Sequence, residues 1–113
     1  MMLSSSYVVI YYSHEVQEHI MNLPHKLQSR YICLTERMLQ YGPNLGLPHT
    51  QSFGDGLFEL RLKGAEGIAR VFFCLLINKQ IMILHSFIKK TQKTPLKEIR
   101  VAKIRMKEVR NGK

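Results

Sequence analysis

The sequence predicts an α+β fold: a mostly antiparallel sheet of about four strands, an N-terminal helical hairpin on one of its faces, and a C-terminal helix. Three observations carry that prediction. Two apolar stripes at helical spacing flank Pro24, so two helices meet at a proline. Residues 57–63 alternate apolar and charged, the period of a strand with one buried face. The tail is basic: residues 89–113 carry ten Lys/Arg against two Glu, a net of +8, whereas residues 1–88 carry seven against six, a net of +1.

At 113 residues and 45% hydrophobic, the chain is expected to form one domain, residues 1–113, with a core of its own. Its net charge of +9 favours a polyanionic partner, whether RNA, DNA, an acidic protein or an anionic surface. The longest apolar run, residues 71–77, is too short to cross a bilayer, and the first basic residue is Lys26, so a signal peptide's positive start is missing. A cytoplasmic protein without a membrane partner is expected. Cys33 and Cys74 lie among apolar neighbours and read as small core residues.

Residues 6–12 are β-branched and aromatic, and form the first strand. Ser13 caps the first helix, whose stripe is Val16, Ile20 and Leu23. The second helix runs from His25 toward Tyr41, with Leu27, Tyr31, Leu34, Met38 and Tyr41 as one stripe, and Gly42-Pro43 ends it. An irregular loop rich in Gly, Pro and Asn then leads to Asp55-Gly56.

On the next strand Phe58, Leu60 and Leu62 are expected to face the core, with Glu59, Arg61 and Lys63 on a charged face. A four-residue loop, residues 64–67, sets Arg61 opposite Arg70 and Lys63 opposite Ile68. A two-residue turn at Asn78-Lys79 sets His85 opposite Phe72 and Phe87 opposite Arg70. In that register Glu59, Arg61, Arg70, His85 and Lys89 share one face, while Val71, Phe73, Leu75, Leu84 and Ile88 join the core face. Thr94 is the expected cap of the last helix, with Pro95 at its first position. Its apolar stripe is Leu96, Ile99, Ala102, Met106 and Val109, beside a basic stripe of Arg100, Lys103, Lys107 and Arg110.

No Gly-rich phosphate loop or nucleophile motif is present, and His14 and His19 are five residues apart where a helical metal pair needs four. What remains is a cationic face, Arg61, Arg70, Lys89 and Lys90, with Glu59 and His85 as groups able to exchange protons. Arginine forks suit phosphate, and RNA carries its own nucleophile in the 2′-hydroxyl, so positioning, a base, an acid and charge stabilisation suffice, without metal or cofactor. The alternative reading is a surface ion pair beside a packed histidine.

Residues 57–61 (Leu-Phe-Glu-Leu-Arg), 70–73 (Arg-Val-Phe-Phe) and 84–95, with the run Phe-Ile-Lys-Lys-Thr-Gln-Lys-Thr-Pro, closely resemble the phage-derived HigB-like branch of the RelE/ParE toxin superfamily. The resemblance covers most of the chain. It implies a RelE-like fold and the toxin of a type II toxin–antitoxin pair, cleaving mRNA on the ribosome and neutralised by a helix-turn-helix antitoxin. Arg70 resembles the family's phosphate-stabilising arginine, and Lys89 and Lys90 its basic pair, one of them an acid or charge stabiliser. The catalytic set is then Arg70, Lys90, Glu59 and His85, with Arg61, Lys89, Thr91, Lys93, Arg100, Lys103 and Lys107 contacting RNA. Two departures stand out: Ser86 occupies the usual glycine position, and no Tyr or His follows the basic turn, so Glu59 and His85 both remain candidates for the base. The same fold also serves a gyrase inhibitor of the ParE type, or a degenerate toxin that only binds its partner.

Overall fold

The computed structural model describes residues 6–89 and 93–112. Five strands form one sheet in the order β1-β5-β4-β3-β2. They are β1 (Val8–Tyr11), β2 (Thr50–Ser52), β3 (Leu57–Gly64), β4 (Gly67–Leu76) and β5 (Gln80–Lys89). Only the β1–β5 pairing is parallel. The strand beyond the expected four is β2, three residues inside the stretch expected to be irregular; it is too short to show a period of two.

Helices α1 (His14–Met21) and α2 (His25–Tyr41) meet at Pro24 as expected. The Ser13 hydroxyl accepts the Val16 N–H at 3.1 Å and starts α1. Their stripes bury Val16, Ile20, Leu27, Tyr31, Leu34 and Met38 against Leu60, Leu62, Val71, Phe73, Ile81 and Ile83. Tyr41 instead ends the stripe in solvent, 74% exposed, where Gly42 turns the chain away. Cys33 is also exposed, because it lies one residue off the Tyr31–Leu34 stripe and faces away from the sheet; Cys74 is buried.

The opposite sheet face is not simply charged. Helix α3 (Leu96–Arg110) covers much of it, and Ala102 and Met106 pack on Leu57, Phe72, Cys74, Met82 and Leu84 in a second core. The charged residues occupy the end of this face near the N-terminus of α3. Leu96, at the head of the expected stripe, stays 73% exposed.

Arg61 faces Arg70 and Lys63 faces Ile68, as the alternation predicts, but the strands pair through Gly64 and Gly67, leaving a two-residue turn at Ala65-Glu66. Between β4 and β5 the expected partners Phe72–His85 and Arg70–Phe87 are found by a different route. Near the turn Leu76 pairs with Gln80 and Phe73 with Ile83, one residue out of the predicted register; a bulge at Leu84 absorbs the difference. The connection is therefore the three residues Ile77–Lys79, with Asn78 and Lys79 both at positive φ. The bulge turns Leu84 into the core beneath α3, on the same side as His85, which corrects its expected place beside Val71. Leu75 and Ile88 keep the expected face but lie beyond the helical cover, 40% and 42% exposed.

Candidate active site

Three rows of residues cross β3, β4 and β5 on the α3 side of the sheet. Register places Glu59, Phe72 and His85 in the first row, Arg61, Arg70 and Phe87 in the second, and Lys63, Ile68 and Lys89 in the third. Adjacent strands are about 4.8 Å apart, so the Glu59 and His85 backbones are about 10 Å apart with Phe72 between them. They are two separate groups and not one coupled pair.

Glu59 is fully buried. Its Oε1 lies 3.5 Å from Arg70 Nε and 3.6 Å from Arg61 Nε, so one carboxylate bridges two guanidinium groups that face each other across the ladder. Those distances exceed a hydrogen bond, and among the described residues all three atoms are buried without a hydrogen-bond partner. The other oxygen, Oε2, accepts the Thr94 hydroxyl at 2.7 Å. Thr94 is therefore not the helix cap. Pro95 takes that position with no side-chain bond, and the hydroxyl reaches the buried carboxylate instead.

His85 stands against the first turn of α3. Its Nε2 is 2.5 Å from Glu98 Oε1, and its ring stacks with those of Phe72 and Phe87. Both side chains keep some exposure, 16% for His85 and 18% for Glu98. A carboxylate on one imidazole nitrogen fixes the orientation of the ring and leaves the other nitrogen, Nδ1, as the one not engaged by Glu98.

The cations crowd one another. Arg61, Lys63, Arg70 and Lys89 against Glu59 leave a formal +4 − 1 = +3 over the second and third rows and the bridging carboxylate. Burial lowers the Arg70 guanidinium from its ordinary value; Glu59 opposes this and Arg61 adds to it. The Lys89 ammonium is lowered by burial first, then by Arg70, with Glu59 opposing and Arg61 adding. Arg61 also donates through Nη2 to Gln51 on β2. Several cations around one internal carboxylate leave an excess of positive charge at this end of the sheet, which suits an anion.

The structure thus brings together Glu59, Arg61, Arg70, His85 and Lys89. Lys90 and Thr91 lie outside the described residues, and Lys93 immediately precedes Thr94. Arg100, Lys103 and Lys107 are exposed on α3, where Lys103 and Lys107 line a hollow with Gly54 and Asp55. Nine residues of helix, about 14 Å, separate Glu98 from Lys107, so the basic stripe runs away from the rows. His14 pairs with Glu18 at 3.2 Å on the surface.

Sequence reasoning missed Glu98 and the role of Thr94. Both touch the site only because α3 folds back over β3 and β5, and no local spacing reports that. Arg105 was also missed: its Nη1 donates to the Leu84 carbonyl at 2.8 Å and its guanidinium lies 4.8 Å over the Tyr12 ring.

Fold and site together define a small α+β protein that gathers cations and a histidine–carboxylate pair at one end of its sheet. The chain belongs to the phage-derived protein Gp49-like family, which matches residues 18–107 and hence every site residue named above. It is thus a member of a phage-derived, toxin-like family related to RelE-type toxins. No curated protein matches it. Among the described residues, no helix is long and apolar enough to cross a membrane.

Proposed function

We propose that this protein is the toxin of a type II toxin–antitoxin pair, of the HigB-like kind, and that it cuts mRNA on the ribosome. The observation that carries the reading is the row arrangement itself: opposed Arg61 and Arg70 lie one step along the sheet from a His85–Glu98 pair.

In the proposed reaction the scissile phosphate lies on Arg70 and Arg61. His85, held by Glu98, removes the proton from the 2′-hydroxyl, and that oxygen attacks phosphorus. The bond from phosphorus to the 5′-oxygen breaks, and the departing oxygen takes a proton from Lys89 or Lys90. The products are a 2′,3′-cyclic phosphate and a 5′-hydroxyl. Burial lowers Lys89, which makes its proton easier to give. The cationic rows stabilise the charge on the phosphoryl oxygens, the term usually largest in such reactions.

Of the two candidate bases, His85 is favoured. Glu59 has no exposed surface, its oxygens are taken up by Thr94 and two arginines, and its role is to hold those arginines in place. A helix-turn-helix antitoxin is the proposed neutralising partner.

The test is purified protein added to ribosome-bound mRNA, with the new ends mapped and their chemistry determined. Cleavage leaving cyclic phosphate ends, lost in Arg70→Ala and His85→Ala, is expected. Intact mRNA together with inhibited DNA supercoiling would replace this reading with gyrase inhibition, and harmless overexpression would replace it with a partner-binding protein.

A further inference from the structure

A cleft of about 360 Å³ opens where the short β2 strand ends. Strand β2 pairs only with Phe58, Glu59 and Leu60, so from Arg61 onward β3 has no strand on that side, and the Arg61 N–H turns to the His49 carbonyl at 2.8 Å. The cleft is lined by Arg61, Lys63 and Arg70 from the sheet, Arg30 from α2 and His49 from the loop before β2; among the described residues no carboxylate lines it. Arg30 and Lys63 are exposed and make no ion pair among the described residues. Nothing in the proposed reaction uses Arg30 or His49.

Four permanent cations line one concavity, and among the described residues Glu59 is the one carboxylate paired with any of them, so the excess positive charge calls for an anion. The volume lies near the lower end of ligand sites, about 300 to 1,000 Å³, enough for one phosphate and its sugar. Apart from His49 no aromatic ring among the described residues lines the cleft, so stacked bases find no platform there. Such a site grips backbone and ignores sequence.

We propose that this cleft is a second phosphate position for single-stranded RNA. The phosphodiester beside the one being cut lies between Arg30 and Lys63, and Arg70, which reaches both the cleft and Glu59, joins the two positions. The choice of RNA rests on the nuclease reading; the phosphate chemistry does not.

The test uses the full chain and a labelled single strand made wholly with 2′-deoxyribose, which 2′-hydroxyl attack cannot cut, with binding followed by anisotropy across a salt series. Arg30→Gln and Lys63→Gln should each weaken binding about tenfold, the loss of a charged contact to phosphate. The double variant should lower the slope of log Kd against log salt by about 0.7, one neutralised phosphate. Lys79→Gln, at the far end of β4, removes the same charge and should change neither quantity. A double variant that binds with wild-type affinity and slope, or no more weakly than Lys79→Gln, overturns the proposal.

Inorganic phosphate titrated alone separates a free-anion site from a backbone site. Phosphate-induced shifts at Arg30 and Lys63, with oligonucleotide affinity indifferent to the variants, would also overturn it. If the variants weaken oligonucleotide binding while wild type leaves ribosome-bound mRNA intact, the cleft stands and the nuclease reading falls. The reverse pair of results separates them the other way.

Discussion

Replacing Arg105 by Met tests whether α3 builds the site from a distance. Leu84 has no partner on β4, and Arg105 Nη1 donates to its carbonyl at 2.8 Å. Methionine preserves the packing of the stem and removes the donor. An acceptor left in a partly buried place costs about 1 to 3 kcal/mol, and loss of the guanidinium over Tyr12 about 0.5 to 1 more. With a urea m-value of about 2 kcal/mol/M, a loss of about 2 kcal/mol lowers the unfolding midpoint by about 1 M. The carbonyl immediately precedes His85, so a relaxed bulge also moves that ring off Glu98, and a displacement of about 1 Å at a reacting group costs about a hundredfold in rate. The assay pairs urea unfolding with cleavage of ribosome-bound mRNA. Arg105→Lys, which keeps a donor, should recover part of both losses. An Arg105→Met protein with the wild-type midpoint and rate would show that the bulge holds itself and that Arg105 is only a surface residue.

Three other outcomes follow from the same geometry. Glu59→Gln leaves Arg70 buried without its counter-charge and should cost about 3 kcal/mol; kcat should fall, while the acid limb of the pH–rate profile persists, and loss of that limb would make Glu59 the base. Lys89→Met removes an ammonium disfavoured first by burial and then by Arg70, so the chain should unfold at the same or slightly higher urea concentration while losing affinity for the oligonucleotide; a clearly less stable variant would contradict this. The Tyr31 phenol is raised well above its ordinary 10.0 by burial and by its 2.7 Å hydrogen bond with Tyr11. A raised value in the folded state means that this contribution is whole below pH 10.0 and is lost as pH rises further. Tyr31→Phe should cost about 1 kcal/mol at neutral pH and make the alkaline decline shallower, read by tyrosinate absorbance and unfolding; an unchanged decline would refute it.

The sheet face was legible because its evidence is local. The alternation of residues 57–63 and the Gly64–Gly67 closure set Arg61 against Arg70, whatever the details of the turn. The helical hairpin was equally plain, since Pro24 and two four-three spaced stripes define it without reference to anything else. What could not be read is where α3 lies. Its stripe predicts that it packs, yet Thr94 on Glu59, Glu98 on His85 and Arg105 on Leu84 are contacts across 35, 13 and 21 residues. The register of β5 was predicted correctly at the site through an incorrect turn, because the added turn residue and the bulge cancel. The cleft beside Arg30 was invisible for a related reason: it exists where β2 stops, and β2 itself carries no pattern.

The bulge at Leu84 has an evolutionary corollary. Leu84 is the residue of β5 with no partner on β4, so it can be lost without re-pairing its neighbours, like an expansion joint in a rail. Without it Ile83 still faces Phe73 and His85 still faces Phe72, and a connection one residue shorter than Ile77–Lys79 still leaves Leu76 opposite Gln80. Relatives should therefore differ in length at either place independently, while the residue aligned with His85 keeps its side of the sheet.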